Sequence, residues 1–177
     1  MSLTPLTSAS TVIQIHAWAA MFALVLGIGV LWRRKGTASH RWSGRVWLVA
    51  MLVTVLTSFL IHQLRTWGPW SPIHILSLVT LVLMIRAYVA IRRRNVALHL
   101  ELMKATYYNA LLLATFFTFL PGRIMHDVVF GASPESSAYA TVPLWVWIVG
   151  GVIVVGGARH VAAKLGRQAA VGSKSRP

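Results

Sequence analysis

Seven histidines stand in a chain with only three acidic residues and no cysteine. They are the side chains here best suited to hold a metal or pass a proton. Two imidazoles at one depth on neighbouring helices are what a haem b needs. His16 lies a few residues into a long apolar run, and His74 opens another. His40 precedes a second run and His99 opens a fourth. If successive runs alternate in direction, His16 and His74 share one end of a bundle and His40 and His99 the other. That pattern predicts one or two haem b groups, their iron held by His16/His74 and His40/His99. Such a layout suits moving electrons across a bilayer. His62 is the rival ligand at the first end, since an ideal helix would turn it only about 40° from His40. An outer copper or zinc site from His16, His62 and His74 is the other metal reading. Against all of these stands a simpler one: histidines near helix ends hydrogen-bond neighbouring helices. His126 falls in a loop and His160 in the tail.

The elements that must position these residues are membrane spans. Hydrophobic residues make up 56% of the 177 residues and charged residues 11%, against about 25% charged in soluble domains. Lipid must cover what such a surface cannot offer to water. The expected class is an all-α integral membrane bundle with four core helices, about 11–32, 40–63, 72–92 and 96–120, and a fifth at 142–158. These form one domain over 1–165, followed by a basic disordered tail, 166–177. No Lys or Arg precedes the first run, so it does not read as a cleaved signal. Ser39 is a candidate N-cap before the second run. Pro121–Thr141 reads as the longest non-helical stretch.

The charge pattern sets an expected orientation. Arg33, Arg34, Lys35, Arg41 and Arg45 follow the first run, and Arg92, Arg93 and Arg94 follow the third. The tail adds Arg159, Lys164, Arg167, Lys174 and Arg176, while the opposite loops hold only Arg65 and Arg123. Basic loops stay in the cytoplasm, which predicts the N-terminus outside and the C-terminus inside. The net charge of +14 therefore points to anionic headgroups and not to nucleic acid. Trp32, Trp42, Trp47, Trp67, Trp70, Trp145 and Trp147 suit interface belts.

Within the runs, Arg86 either snorkels to the interface or binds a haem propionate or quinone oxygen. Glu101 and Lys104 are spaced to pair, and Met103 shares the helix face of His99. Tyr107, Tyr108 and Asn109 form a polar-aromatic patch that ties helices or lines a pocket. Gly27 and Gly29 suit close helix approach. The absence of cysteine excludes disulfides, iron–sulfur clusters and thiolate-held haem within this chain.

The segment His40-Arg41-Trp42-Ser43-Gly44-Arg45-Val46-Trp47 resembles the "HR-x-x-G-R-x-[YW]" motif of an uncharacterised family of bacterial multi-pass membrane proteins, domain of unknown function 2306. His99, Met103-Lys104 and Tyr107 resemble its second motif, "H-R-x-W-M-x-R-x-Y", and His16 ahead of Gly27 also fits. The resemblance spans about residues 12–125. Leu100, Leu102 and Ala105 depart from the motif's Arg, Trp and Arg. It implies a bacterial cytoplasmic membrane protein and no known activity. The histidine layout is similar to two-haem transmembrane cytochromes b in pattern alone. The expectation is a cytochrome b-like electron-transfer protein, a membrane oxidoreductase or electron carrier, meeting quinone or a respiratory partner. The alternative is a cofactor-free accessory or assembly subunit of a larger complex, or an oligomer; a small transporter or channel ranks below it.

Overall fold

Residues 11–32 carry no charge, and in a computed structural model they form one unbroken helix. The structure describes residues 1–62, 71–120, 123–131, 152 and 156; among them every regular element is a helix. The expected fifth span, the tail, and with them His160, Trp145 and Trp147, lie outside the described residues, apart from helical Val152 and Gly156. The element order is α1 (Thr4–Thr7), α2 (Thr11–Trp32), α3 (Ala38–Ser58), α4 (Pro72–Arg92), α5 (Val96–Ala105), a π segment (Thr106–Leu112), α6 (Leu113–Thr118) and α7 (Ile124–Phe130).

Helix α2 packs on α3, α3 on α4, and α4 on α5 and the π segment, which returns to α2. The result is a ring of neighbours in which both tight turns lie at one end. One turn joins α2 to α3 and the other joins α4 to α5. Helix α1 docks on α7 through Leu6, Met125 and Val128 at the opposite end.

Two helices, Thr11–Trp32 and Ile73–Arg92, are long and apolar enough to cross a bilayer. Only 11% of the most apolar stretch of α2 is buried, so it is not the core helix of a soluble domain. Trp18, Phe22, Val25 and Ile28 point outward, while Ser43, Ser58, Ser71, Ser77, Thr80 and Thr106 are buried. Apolar residues outside and hydroxyls inside are the order expected where lipid is the solvent.

The buried hydroxyls are satisfied. The Ser58 hydroxyl donates to Ser77 Oγ at 2.6 Å, and the Ser77 hydroxyl donates to the Ile73 carbonyl at 2.9 Å. This links α3 to α4 beside the stripe Ser77, Thr80, Met84, Ala87 and Ala90, whose spacing of three and four residues forms one helix face.

The first and third expected runs are helices with the expected bounds, and the second and fourth differ from expectation. Helix α3 starts earlier than expected, with Thr37 as N-cap: its side chain accepts the His40 N–H at 3.1 Å. Ser39 is therefore inside the first turn and is not the cap. The helix stops at Ser58, where Leu60 and Ile61 N–H bond carbonyls three residues back and tighten the last turn. His62 consequently lies off the helix, and the ideal-helix angle between His40 and His62 does not apply. The fourth run is not one α-helix either, because its middle widens into the π segment. Inside the expected non-helical stretch, α7 forms because Ile124, Met125 and Val128 gather on one face against Leu6. It ends at Gly131, whose φ of 84° is easy only for glycine.

Candidate functional site

At the end holding the two tight turns, α3 and α5 begin within a turn of His40 and His99 respectively. His99 Nδ1 lies 2.9 Å from the Ala87 carbonyl. A carbonyl only accepts, so Nδ1 carries the proton and Nε2 keeps its lone pair. His40 has Lys35 and His99 as charged neighbours, and its ring bonds the Val30 carbonyl. Its Nδ1 is buried with no hydrogen-bond partner among the described residues. Two elements remote in sequence thus bring two imidazoles within electrostatic reach, and that of His99 keeps an unprotonated Nε2. That is the form in which imidazole binds a metal.

Around this pair the charge is positive. The Lys35 ammonium reaches the Leu31 carbonyl, and the Arg33 carbonyl at 3.0 Å. Burial, then the charge of Lys104, pull it below the usual lysine range. Lys104 lies 3.4 Å from Glu101 in the expected pair, both exposed. Arg86 is exposed on the outer face of α4, which suits snorkelling and does not turn it toward the histidines.

At the opposite end the expected pair is arranged differently. His16 Nδ1 lies 2.9 Å from the Thr54 carbonyl and 3.1 Å from Thr57 Oγ1, which ties α2 to α3. Its Nε2 is therefore also in the ligand form. His74 Nδ1 accepts the backbone N–H of Ser71 at 3.2 Å and sits 2.9 Å from Ser71 Oγ. A backbone N–H only donates, so His74 carries its proton on Nε2. His74 can ligate through Nε2 only after changing tautomer and releasing Ser71. Its ring packs against His62, with centroids 5.4 Å apart and a 35° tilt, and against Phe59 at 6.3 Å. Rings in such contact leave no gap for a porphyrin between His62 and His74. His126 instead pairs with Asp127 at 3.4 Å and packs on Phe130. Burial pulls the nearby Arg123 below its ordinary value. Among the described residues, no group of three or more His, Asp or Glu converges as a metal site, so the outer three-histidine cluster does not form.

Between the two ends lies a knot that the sequence only half revealed. Trp47 Nε1–H donates to the Ala23 carbonyl at 2.8 Å, and the Tyr107 hydroxyl donates to the Leu24 carbonyl at 3.2 Å. Both rings rest on α2 at Gly27. A Cβ there would meet Tyr107 Cε2 at 2.5 Å and Trp47 Nε1 at 2.7 Å. Gly29, by contrast, faces open space and needs no close approach. Tyr107 is thus helix-to-helix glue, and Met103 packs against the same core. Trp47, expected in an interface belt, is buried instead. The π segment buries Thr106, Tyr107, Ala110 and Leu111 on one face. The Ser71–His74 contact was legible in principle, since Ser before Pro72 marks an N-cap and His74 stands at the capping-box position.

Residues 13–156 match the family described as "Predicted membrane protein (DUF2306)". The match runs past the resembling motifs and into the fifth apolar run. No curated protein and no solved structure matches the chain.

Proposed function

The chain belongs to the DUF2306 family of predicted membrane proteins, and from that premise we propose that it is a membrane cytochrome b-like electron-transfer protein. Helices α2, α3 and α4 and the run from α5 to α6 are four alternating spans of a multi-pass protein of the bacterial cytoplasmic membrane. The N-terminus is outside, and the basic turns face the cytoplasm. One haem b is held at the basic end by His40 and His99.

The observation that carries this reading is the pair itself: His99 bonded through Nδ1 to the Ala87 carbonyl, and His40 with a buried, orphaned Nδ1 beside it. The Ala87 bond fixes the His99 tautomer and raises its basicity, as ligating histidines require. Lys35 and Lys104 supply positive charge for the group's carboxylates. When bound, haem supplies one-electron transfer, with quinone or a respiratory partner as the redox contact. A second haem at the opposite end would need His74 to exchange its Ser71 bond.

The purified protein, expressed with ample haem, should show a reduced-minus-oxidised α-band. His99→Ala should abolish that band while keeping the helical content of the wild type. A wild-type protein that folds but takes up no haem would sink the assignment.

A second reading is favoured by the same bonds. His16 to Thr54 and His99 to Ala87 each tie one helix to another, which a cofactor-free accessory subunit would also need. Haem-free protein that co-purifies with a stable partner would favour it.

A further inference from the structure

The two turns at the basic end concentrate cations at one level of the bundle. The turn before α3 holds Arg33, Arg34 and Lys35, with Arg41 in the next helical turn. Arg92 ends α4, and Arg93 and Arg94 follow it in the turn. All are exposed, and Glu101, paired with Lys104, is the acid nearest them in the chain. Arg33 and Arg41 are committed to Ser39 and to the Gly36 carbonyl. Arg34, Arg92, Arg93 and Arg94 have no side-chain hydrogen bond or ion pair among the described residues. A solvated basic rim would account for loose surface arginines, but two further observations do not fit it.

The first is the backbone of Arg94. The Asn95 N–H bonds the Ala90 carbonyl, and the Arg94 N–H bonds the Ile91 carbonyl, which together make a Schellman end to α4. Its left-handed position is taken by Arg94, at φ 59°, where glycine would be at ease. The turn accepts a strained arginine at a position that asks for glycine. The second is the level of the turns. Trp32 ends α2 and is 82% exposed; Trp42 lies in the second turn of α3 and is 67% exposed. Exposed tryptophans mark headgroup depth, so the arginines just beyond them lie where phosphates lie.

We infer that these two turns form a binding site for the phosphate headgroup of an anionic phospholipid, with Arg92, Arg93 and Arg94 on one side and Arg34 on the other. This inference stands whether or not haem is bound. Arginine offers a planar fork of donors matched to phosphate oxygens. Each cation near a membrane surface strengthens anionic-lipid binding about fivefold.

The test uses the full chain in detergent, titrated with phosphatidylglycerol, phosphatidylcholine or inorganic phosphate. Retained lipid is counted by native mass spectrometry, and unfolding temperature is followed alongside. Wild type should hold phosphatidylglycerol in preference to phosphatidylcholine and unfold at higher temperature with it. Arg94→Gly removes a cation while leaving a residue suited to the turn, so it should fold and lose about fivefold in affinity. The triple change of Arg92, Arg93 and Arg94 to Gln should lose on the order of a hundredfold. Equal retention of both lipids, or an unaltered preference in Arg94→Gly, would overturn the site. Inorganic phosphate that stabilises as well as phosphatidylglycerol would make it a soluble-anion site and overturn the lipid assignment.

Discussion

A histidine's role in this bundle depends on which ring nitrogen holds its proton, and the backbone decides that. His16 and His99 meet carbonyls and keep Nε2 bare; His74 meets an N–H and does not. Three residues alike in sequence thus divide into ligand-ready and ligand-blocked forms. Gly27 makes a similar point about space. Because Tyr107 and Trp47 are both hydrogen-bonded to α2, neither ring can yield to a new methyl group. Gly27→Ala should cost about 1–3 kcal/mol by overpacking, read as a lower unfolding temperature in detergent. Adding Tyr107→Ala to it should cost less than the two changes summed, since only the clash with Trp47 then remains. Gly27→Ala unfolding at the wild-type temperature would count against the packing described.

Among elements, α3 and α4 are joined by polar contacts inside an otherwise apolar seam. The Ser58–Ser77 bond is buried, and the Ser58 hydroxyl also has the Val55 carbonyl within 2.6 Å. Ser77→Ala should leave the Ser58 hydroxyl without that partner and cost about 1 kcal/mol. The double change, Ser58→Ala with Ser77→Ala, should cost little more than either single change. Additive losses in thermal unfolding would show that the two hydroxyls act separately. The π segment belongs to this scale too. It places Tyr107 over Gly27 while Thr106 still bonds the Leu102 carbonyl at 2.9 Å, so one stretch of chain satisfies both α2 and its own backbone.

At the scale of the molecule, the proposed orientation makes a direct prediction. The chain has no cysteine, so a single introduced one carries all thiol labelling. In intact cells Ser8→Cys should react with a membrane-impermeant maleimide, and Arg34→Cys only after permeabilisation. Labelling of both from one side would mean that α2 does not cross the bilayer. The arrangement also explains why the basic end is the richer one. Short turns between antiparallel helices collect at one face what the chain distributes over some seventy positions.

What the sequence by itself determined was the class of solvent and the limits of the longest apolar elements. Residues 11–32 and 72–92 are apolar enough that few alternatives exist, and the Glu101–Lys104 pair follows from spacing alone. The family motifs were legible as well. Tertiary structure alone decided which histidines meet. Residue order gives depth along a helix, but the facing of side chains depends on where helices end and how they turn. Stopping α3 at Ser58 put His62 beside His74, and the Ser71 N–H set the His74 proton. The π segment and the Gly27 seat of Tyr107 were hidden for the same reason: they arise from contact between distant segments, and no local periodicity records that contact.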